Sequence, residues 1–221
     1  MKGSLLAIDT SGTRALVALG SPDGALLDER RWQAGYRHGE ELLSKLDELL
    51  GANGTALSDL AGIVVGTGPG AFTGMRVGLA TAKALARALE IPIAGVATSE
   101  ALLQGAPLEN RATAVLLLPA GPSDRILVAA GRATLVKGGE EPELPQGSVV
   151  VAVDLPGRAP GDALAIGAQA EEGLAESLLR LGAPRIAGGG DDVARLVPEY
   201  VTLPRGVPAV RGEVRWSHDR R

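Results

Sequence analysis

A chain of 221 residues suits one large domain or two small lobes, and 45% hydrophobic residues are enough to build a core. The net charge of −4 excludes a surface that collects nucleic acid by bulk charge alone. The absence of cysteine excludes disulfides, thiol nucleophiles and cysteine zinc sites, and the two histidines, His38 and His218, are too far apart in sequence to suggest a histidine-rich metal site.

Ser4 to Ile8 reads as a buried strand, and Asp9-Thr10-Ser11-Gly12-Thr13 as a tight, hydroxyl-rich turn. Arg14 to Leu19 is a second strand, Ser21-Pro22-Asp23-Gly24 a hairpin turn, and Ala25 to Trp32 a third strand. Its charges, Asp28 to Arg31, fit a solvated edge. Gly35 to Gly39 reads as a loop. The helix after it has Leu42, Leu43, Leu46, Leu49 and Leu50 on one face, Glu40 and Glu41 in its first turn, and Gly51 at its end. A loop follows from Asn53 to Asp59. No apolar run reaches membrane length, and Leu5 to Ile8, cut by Asp9, is too short for a signal peptide, so a cytoplasmic protein is expected.

The strand Ala61 to Val65 leads into Gly66-Thr67-Gly68-Pro69-Gly70-Ala71, and an Ala/Leu-rich helix then runs to Leu89. A strand, a glycine turn and a helix N-terminus together form a common anion-binding design, because unpaired N–H groups point outward there. No lysine lies between Gly66 and Lys83, so the turn is not a Walker A loop. Gly66-x-Gly68-x-x-Ala71 fits the dinucleotide pattern loosely, but the acid expected after the next strand, Ile91 to Val96, is missing. In the helix, Gly74, Gly78 and Ala82 recur every four residues and leave one face nearly bare. That face packs closely on the chain's own sheet or on a second protein. Arg76 in the first turn opposes the helix dipole and points to a nearby carboxylate.

Beyond residue 100, Thr113 to Leu118 and Arg125 to Ala130 read as strands around Pro119 to Asp124. Residues 138–148 read as an acidic, proline-bearing loop. Val149 to Val153 and Ala163 to Ile166 read as strands, and Gln169 to Leu181 as a helix. Arg185 to Ala187 then runs as a strand into Gly188-Gly189-Gly190, which reads either as a turn lying against a nucleotide's adenosine or as a plain turn to a helix with Asp191 or Asp192 as N-cap. The tail from Arg211 to Arg221 holds four arginines and reads as a frayed terminus that could touch phosphate.

The order β-β-β-α-β-α-β, antiparallel first and crossovers later, is that of one lobe of a ribonuclease-H-like fold. The expected class is α/β, with two lobes of mixed sheets flanked by helices, as in the actin, Hsp70 and sugar-kinase group. Residues 1–100 form the first lobe, and 101–221 a smaller second lobe with its basic tail. In that group the first hairpin meets a nucleotide phosphate, so Asp9, Thr10, Ser11, Gly12, Gly68 and Gly70 are the candidate phosphate-binding positions.

Ile8-Asp9-Thr10-Ser11, Arg37-His38-Gly39-Glu40 and Gly68-Pro69-Gly70-Ala71-Phe72-Thr73-Gly74-Met75-Arg76-Val77-Gly78 resemble the bacterial TsaB (YeaZ) family. So do Leu79 to Ala86 and, late in the chain, Pro198-Glu199-Tyr200-Val201. The resemblance covers the first lobe well and is thin elsewhere. It implies a noncatalytic accessory subunit for N6-threonylcarbamoyladenosine at position 37 of tRNAs that read codons beginning with A. The implied partners are a TsaD-type transferase, which carries the metal, and a TsaE-type ATPase. The resemblance also implies a homodimer when the chain is alone, with tRNA met only through the complex. No tightly held cofactor, catalytic residue or metal site is expected, although ATP or ADP at the complex interface is compatible with the resemblance. Family pairing through the two first-lobe helices places the contact on Leu42, Leu46, Leu49, Gly74, Met75, Gly78, Leu79 and Ala82, with Gly78→Leu expected to block it and leave the lobe folded. The rival reading is a small kinase or ATPase of the same fold group, using Asp9, Thr10, Ser11 and Gly68 to Gly70.

Overall fold

The computed structural model describes residues 3–33 and 38–201. The side chains of the Arg37–Glu40 motif and the arginine-rich tail from Arg211 lie outside the described residues. The chain opens with β1 (Ser4–Asp9), β2 (Arg14–Gly20) and β3 (Leu26–Gln33), continues through α1 (His38–Ala52), β4 (Leu60–Gly66), α2 (Phe72–Leu89) and β5 (Ile93–Val96), and then enters α3 (Thr98–Gly105). These strands form one sheet in the order β3-β2-β1-β4-β5, with β1–β2 and β2–β3 antiparallel and β1–β4 and β4–β5 parallel. A second sheet, in the order β8-β7-β6-β9, is built from β6 (Ala114–Ala120), β7 (Asp124–Ala129), β8 (Arg132–Val136) and β9 (Val149–Ala152). Two helices end the described chain, α4 (Gly161–Glu172) and α5 (Leu174–Ala187). The α/β class with two mixed sheets and flanking helices is therefore as expected.

Strand period explains the layers. Along β1, Leu6 and Ile8 point to α1 and α2, where they join Leu42, Leu46, Leu49, Leu79 and Ala82. Leu5 and Ala7 point the other way, into a core shared by both sheets. That core takes Leu16, Val64 and Val96 from the first sheet and Leu116, Ile126 and Val151 from the second, with Leu102, Leu178 and Ile186 between them. Both faces of β1 and β4 are thus covered, which is why they read as unbroken apolar runs. Helix α5 sits unusually close to the first sheet. A Cβ on Gly182 would lie 2.3 Å from Val64, and one on Gly62 2.4 Å from Ile186.

Several expectations need correction. Ala163 to Ile166 is not a strand; it lies in α4, and Ala163, Gly167 and Ala170 are buried at helical spacing. Gln169 to Leu181 is not one helix, because Gly173 separates α4 from α5. Arg185 to Ala187 is the last turn of α5 rather than a strand, and the glycines after it close that helix, with Gly190 N–H donating to the Arg185 carbonyl at 2.8 Å. Helix α3 and strand β8 went unread. Two described segments beyond residue 100 lie against the first sheet. Helix α5 packs on the first sheet, and residues 191–199 follow the free edge of β5, where Asp191 N–H donates to the Ile93 carbonyl.

Candidate functional site

Three turns of the first lobe meet at Asp9. Its carboxylate is 1% exposed. One oxygen accepts from the Ser11 backbone N–H and hydroxyl, both at 2.8 Å, and the other accepts from the Thr98 hydroxyl at 2.6 Å. Thr98 in turn accepts from Gly68 N–H at 3.0 Å. The β1–β2 turn, the glycine turn before α2 and the start of α3 are thus tied by one buried carboxylate. Gly66 is required beside it, since a Cβ there would overlap an Asp9 oxygen at 1.8 Å. Burial pushes the Asp9 carboxyl up from its ordinary range, and the hydrogen bonds from Thr98 and Ser11 only partly offset this.

The neighbouring residue explains the bare helix face. The Thr10 hydroxyl donates to the Gly74 carbonyl at 2.7 Å, and a Cβ on Gly78 would lie 2.3 Å from that hydroxyl. Gly78 makes room for Thr10 under α2, and the Gly74 carbonyl receives its hydroxyl. The contact face placed on Leu42, Leu46, Leu49, Gly74, Met75, Gly78, Leu79 and Ala82 is therefore corrected: all eight are buried in the chain's own core. The same i, i+4 spacing suits own-sheet packing and partner packing alike, and only the tertiary arrangement separates them. The solvent face of α2 is instead the row Thr73, Arg76, Ala80, Ala84 and Arg87, and on α1 Leu43 is 57% exposed. Among the described residues Arg76 meets no carboxylate of its own chain, which leaves open one from a partner; its guanidinium lies 5.3 Å over the Phe72 ring, which also neighbours Tyr200 at 5.1 Å.

Of the candidate phosphate positions, Asp9, Ser11, Gly12 and Gly70 line a cleft between the two sheets, whereas Thr10 and Gly68 do not. The Ser11 carbonyl occupies the mouth of α2, accepting from Ala71 N–H at 2.7 Å. The opposite wall supplies Pro119, Asp154, Glu171 and Leu174. The acids of this wall, Asp154 and Glu171, carry no motif that the sequence reading picked out, and Asp124 on the neighbouring hairpin lies away from the cleft, accepting from Gly138 N–H and Lys137. A usable signal existed, since Asp154 stands just past the carboxyl end of a buried strand, where ligands of α/β sheets gather. Burial raises the Glu171 carboxyl above its ordinary range, and Arg14 opposes the shift from 4.0 Å. Arg14 also pairs with Glu172 at 3.2 Å, and Arg31 donates to the carbonyls of Glu171 and Glu172, so β2 and β3 hold the end of α4. The cleft encloses about 60 Å³, room for a few waters; small-molecule pockets run to roughly 300–1,000 Å³. Among the described residues no group of three or more metal-ligating side chains occurs, and no helix is long and apolar enough to cross a membrane.

A first sheet of order β3-β2-β1-β4-β5, a second mixed sheet and a cleft between them define a two-lobed ribonuclease-H-like protein. A family model described as TsaD, tRNA N6-adenosine threonylcarbamoyltransferase, matches residues 33–176. The Escherichia coli K12 tRNA threonylcarbamoyladenosine biosynthesis protein TsaB is 38% identical over 112 residues, covering 51% of this chain and 48% of that protein. YeaZ from Pseudomonas aeruginosa superposes with a TM-score of 0.62 at 28% identity, covering 90% of this chain and 99% of that one. A second Pseudomonas aeruginosa structure, described as similar to peptidase YEAZ, reaches 0.68 at 26% identity, covering 90% and 100%. The chain belongs to the TsaB (YeaZ) family. It spans about half the length of the curated relatives it matches.

Proposed function

We propose that this chain is an accessory subunit in the formation of N6-threonylcarbamoyladenosine at position 37 of tRNA. In this role it pairs with a TsaD-type transferase, and a TsaE-type ATPase joins the pair. The observation that carries the reading is family membership, with the relatives' names tying them to this modification. The outward row of α2 supports a pairing role: its side chains are short at Ala80 and Ala84 and cationic at Arg76 and Arg87, and no acid stands on the helix. Such a face suits a close-packed partner helix with carboxylates at its ends. A noncatalytic role is supported by Asp9, whose two oxygens are both engaged in holding turns together. The small cleft volume supports this role over a kinase that binds its own nucleotide.

The test is an omission assay. Unmodified tRNA, threonine, bicarbonate, ATP and the remaining modification proteins are incubated with and without the chain, and the modified nucleoside is counted by mass spectrometry. Product only in its presence is expected; equal product without it overturns the reading. Ala80→Tyr with Ala84→Tyr is expected to abolish pairing with the transferase at unchanged melting temperature. Normal pairing by that variant places the contact elsewhere.

A further inference from the structure

We propose that the outer end of the second lobe carries a binding site for a small oxyanion of the phosphate type, built by Arg125 and Arg158. Arg125 is the second residue of β7 and is 9% exposed. One terminal nitrogen donates to the Arg158 carbonyl at 3.2 Å, and the other to the Glu140 carbonyl. Arg158 donates from a single nitrogen to the carbonyls of Gly121 and Asp124, at 2.9 and 3.3 Å. A guanidinium carries five N–H donors and keeps its charge in proteins. Each of these arginines therefore has donors beyond the two engaged here.

Neither has a carboxylate partner among the described residues. Arg14, Arg30, Arg31, Arg180, Arg185 and Arg195 all do. A buried charge without a counter-charge is unfavourable, and carbonyl dipoles answer only part of it. Both side chains line an open depression of about 430 Å³ with Ser123, Gly139, Glu141 and Gly157. That volume lies in the range of small-ligand pockets, roughly 300–1,000 Å³. Gly139 and Gly157 have left-handed backbones with open space where a Cβ would stand, so a ligand can approach their loops closely. The nearby Asp124 is already satisfied by Gly138 N–H and Lys137, which leaves the arginines to a ligand. Two guanidinium forks favour a tetrahedral oxyanion that accepts several charged hydrogen bonds. The site is concave and its rim carries Glu141, which suits a compact anion better than the extended phosphate backbone of a nucleic acid.

The test is an amide NMR titration of the full chain with inorganic phosphate, then pyrophosphate, at constant ionic strength. Saturable shifts at Ser123, Gly139 and Gly157 are expected, with none from matched chloride. Arg158→Gln is expected to weaken binding at least tenfold in a chain that still unfolds cooperatively, with a small loss of stability from its two carbonyl bonds, and Glu141→Gln to tighten binding. Arg125→Ala is unsuited because Arg125 also pins two loops. Shifts that fail to saturate, that chloride reproduces or that survive Arg158→Gln overturn the proposal. So does a titration with tRNA that moves these amides when phosphate and pyrophosphate do not. The outcome is independent of the omission assay.

Discussion

The contact between Thr10 and Gly78 can be measured as a coupling energy. In Gly78→Ala the new methyl would lie 2.3 Å from the Thr10 hydroxyl oxygen. Overpacking of this kind costs about 1–3 kcal/mol. Displacing Thr10 also loses its hydrogen bond to Gly74, about 0.5–1.5 kcal/mol. Alanine returns about 1 kcal/mol of helix propensity, so a net loss of about 1–3 kcal/mol is expected. In a Thr10→Ala background the obstructing oxygen is gone. The next atoms are the Cβ of residue 10 at 3.5 Å and Ile8 at 3.7 Å, both ordinary contacts. There Gly78→Ala is expected to be neutral or stabilising by up to about 1 kcal/mol. Urea unfolding of the four proteins, followed by far-UV circular dichroism, gives a coupling of about 2 kcal/mol if the packing is as described. Equal costs in the two backgrounds would refute it. A leucine at position 78 is correspondingly expected to disrupt the first lobe, not to leave it folded.

Three further outcomes are expected. The Asp9 carboxyl keeps its proton to higher pH in the folded chain than in the unfolded one, so its contribution to stability falls as pH rises from about 4 through the raised folded value. Asp9→Asn should remove that slope, and denaturant midpoints from pH 4 to 8 that fall in parallel for both proteins would contradict the burial effect. Arg31→Ala frees the last carbonyls of α4 and is expected to cost about 1–2 kcal/mol and speed hydrogen exchange at the end of α4; unchanged exchange there would remove the latch. At Asp191 burial raises the carboxyl, but Gly95 N–H and Arg185 together outweigh it and the net shift is downward. Its contribution is therefore present near neutrality and lost as pH falls below about 4, and Asp191→Ala should expose the Gly95 amide to faster exchange at pH 7.

The first-lobe elements were legible because each carried a strong local signal. The unbroken run Leu5 to Ile8, the Pro22-Asp23-Gly24 turn, the leucine face of α1 and the alanine-rich α2 all specify their structure within a few residues. The resemblance lay in the same stretch, so the family was legible too. The second lobe was harder. Ala163 to Ile166 is four apolar residues between glycines, a length at which helix and strand periods cannot be told apart. The joining of Asp9 to Thr98, of Arg31 to the end of α4 and of Asp191 to β5 leaves no pattern in sequence, because these contacts span 89 to 141 positions. The sequence alone thus determined the element order of the first lobe through β5, the small-residue row on α2 and the family. Only the tertiary structure decided that Gly74 and Gly78 face Thr10 and the chain's own sheet. Periodicity states which residues share a face, but what covers that face depends on where the rest of the chain returns.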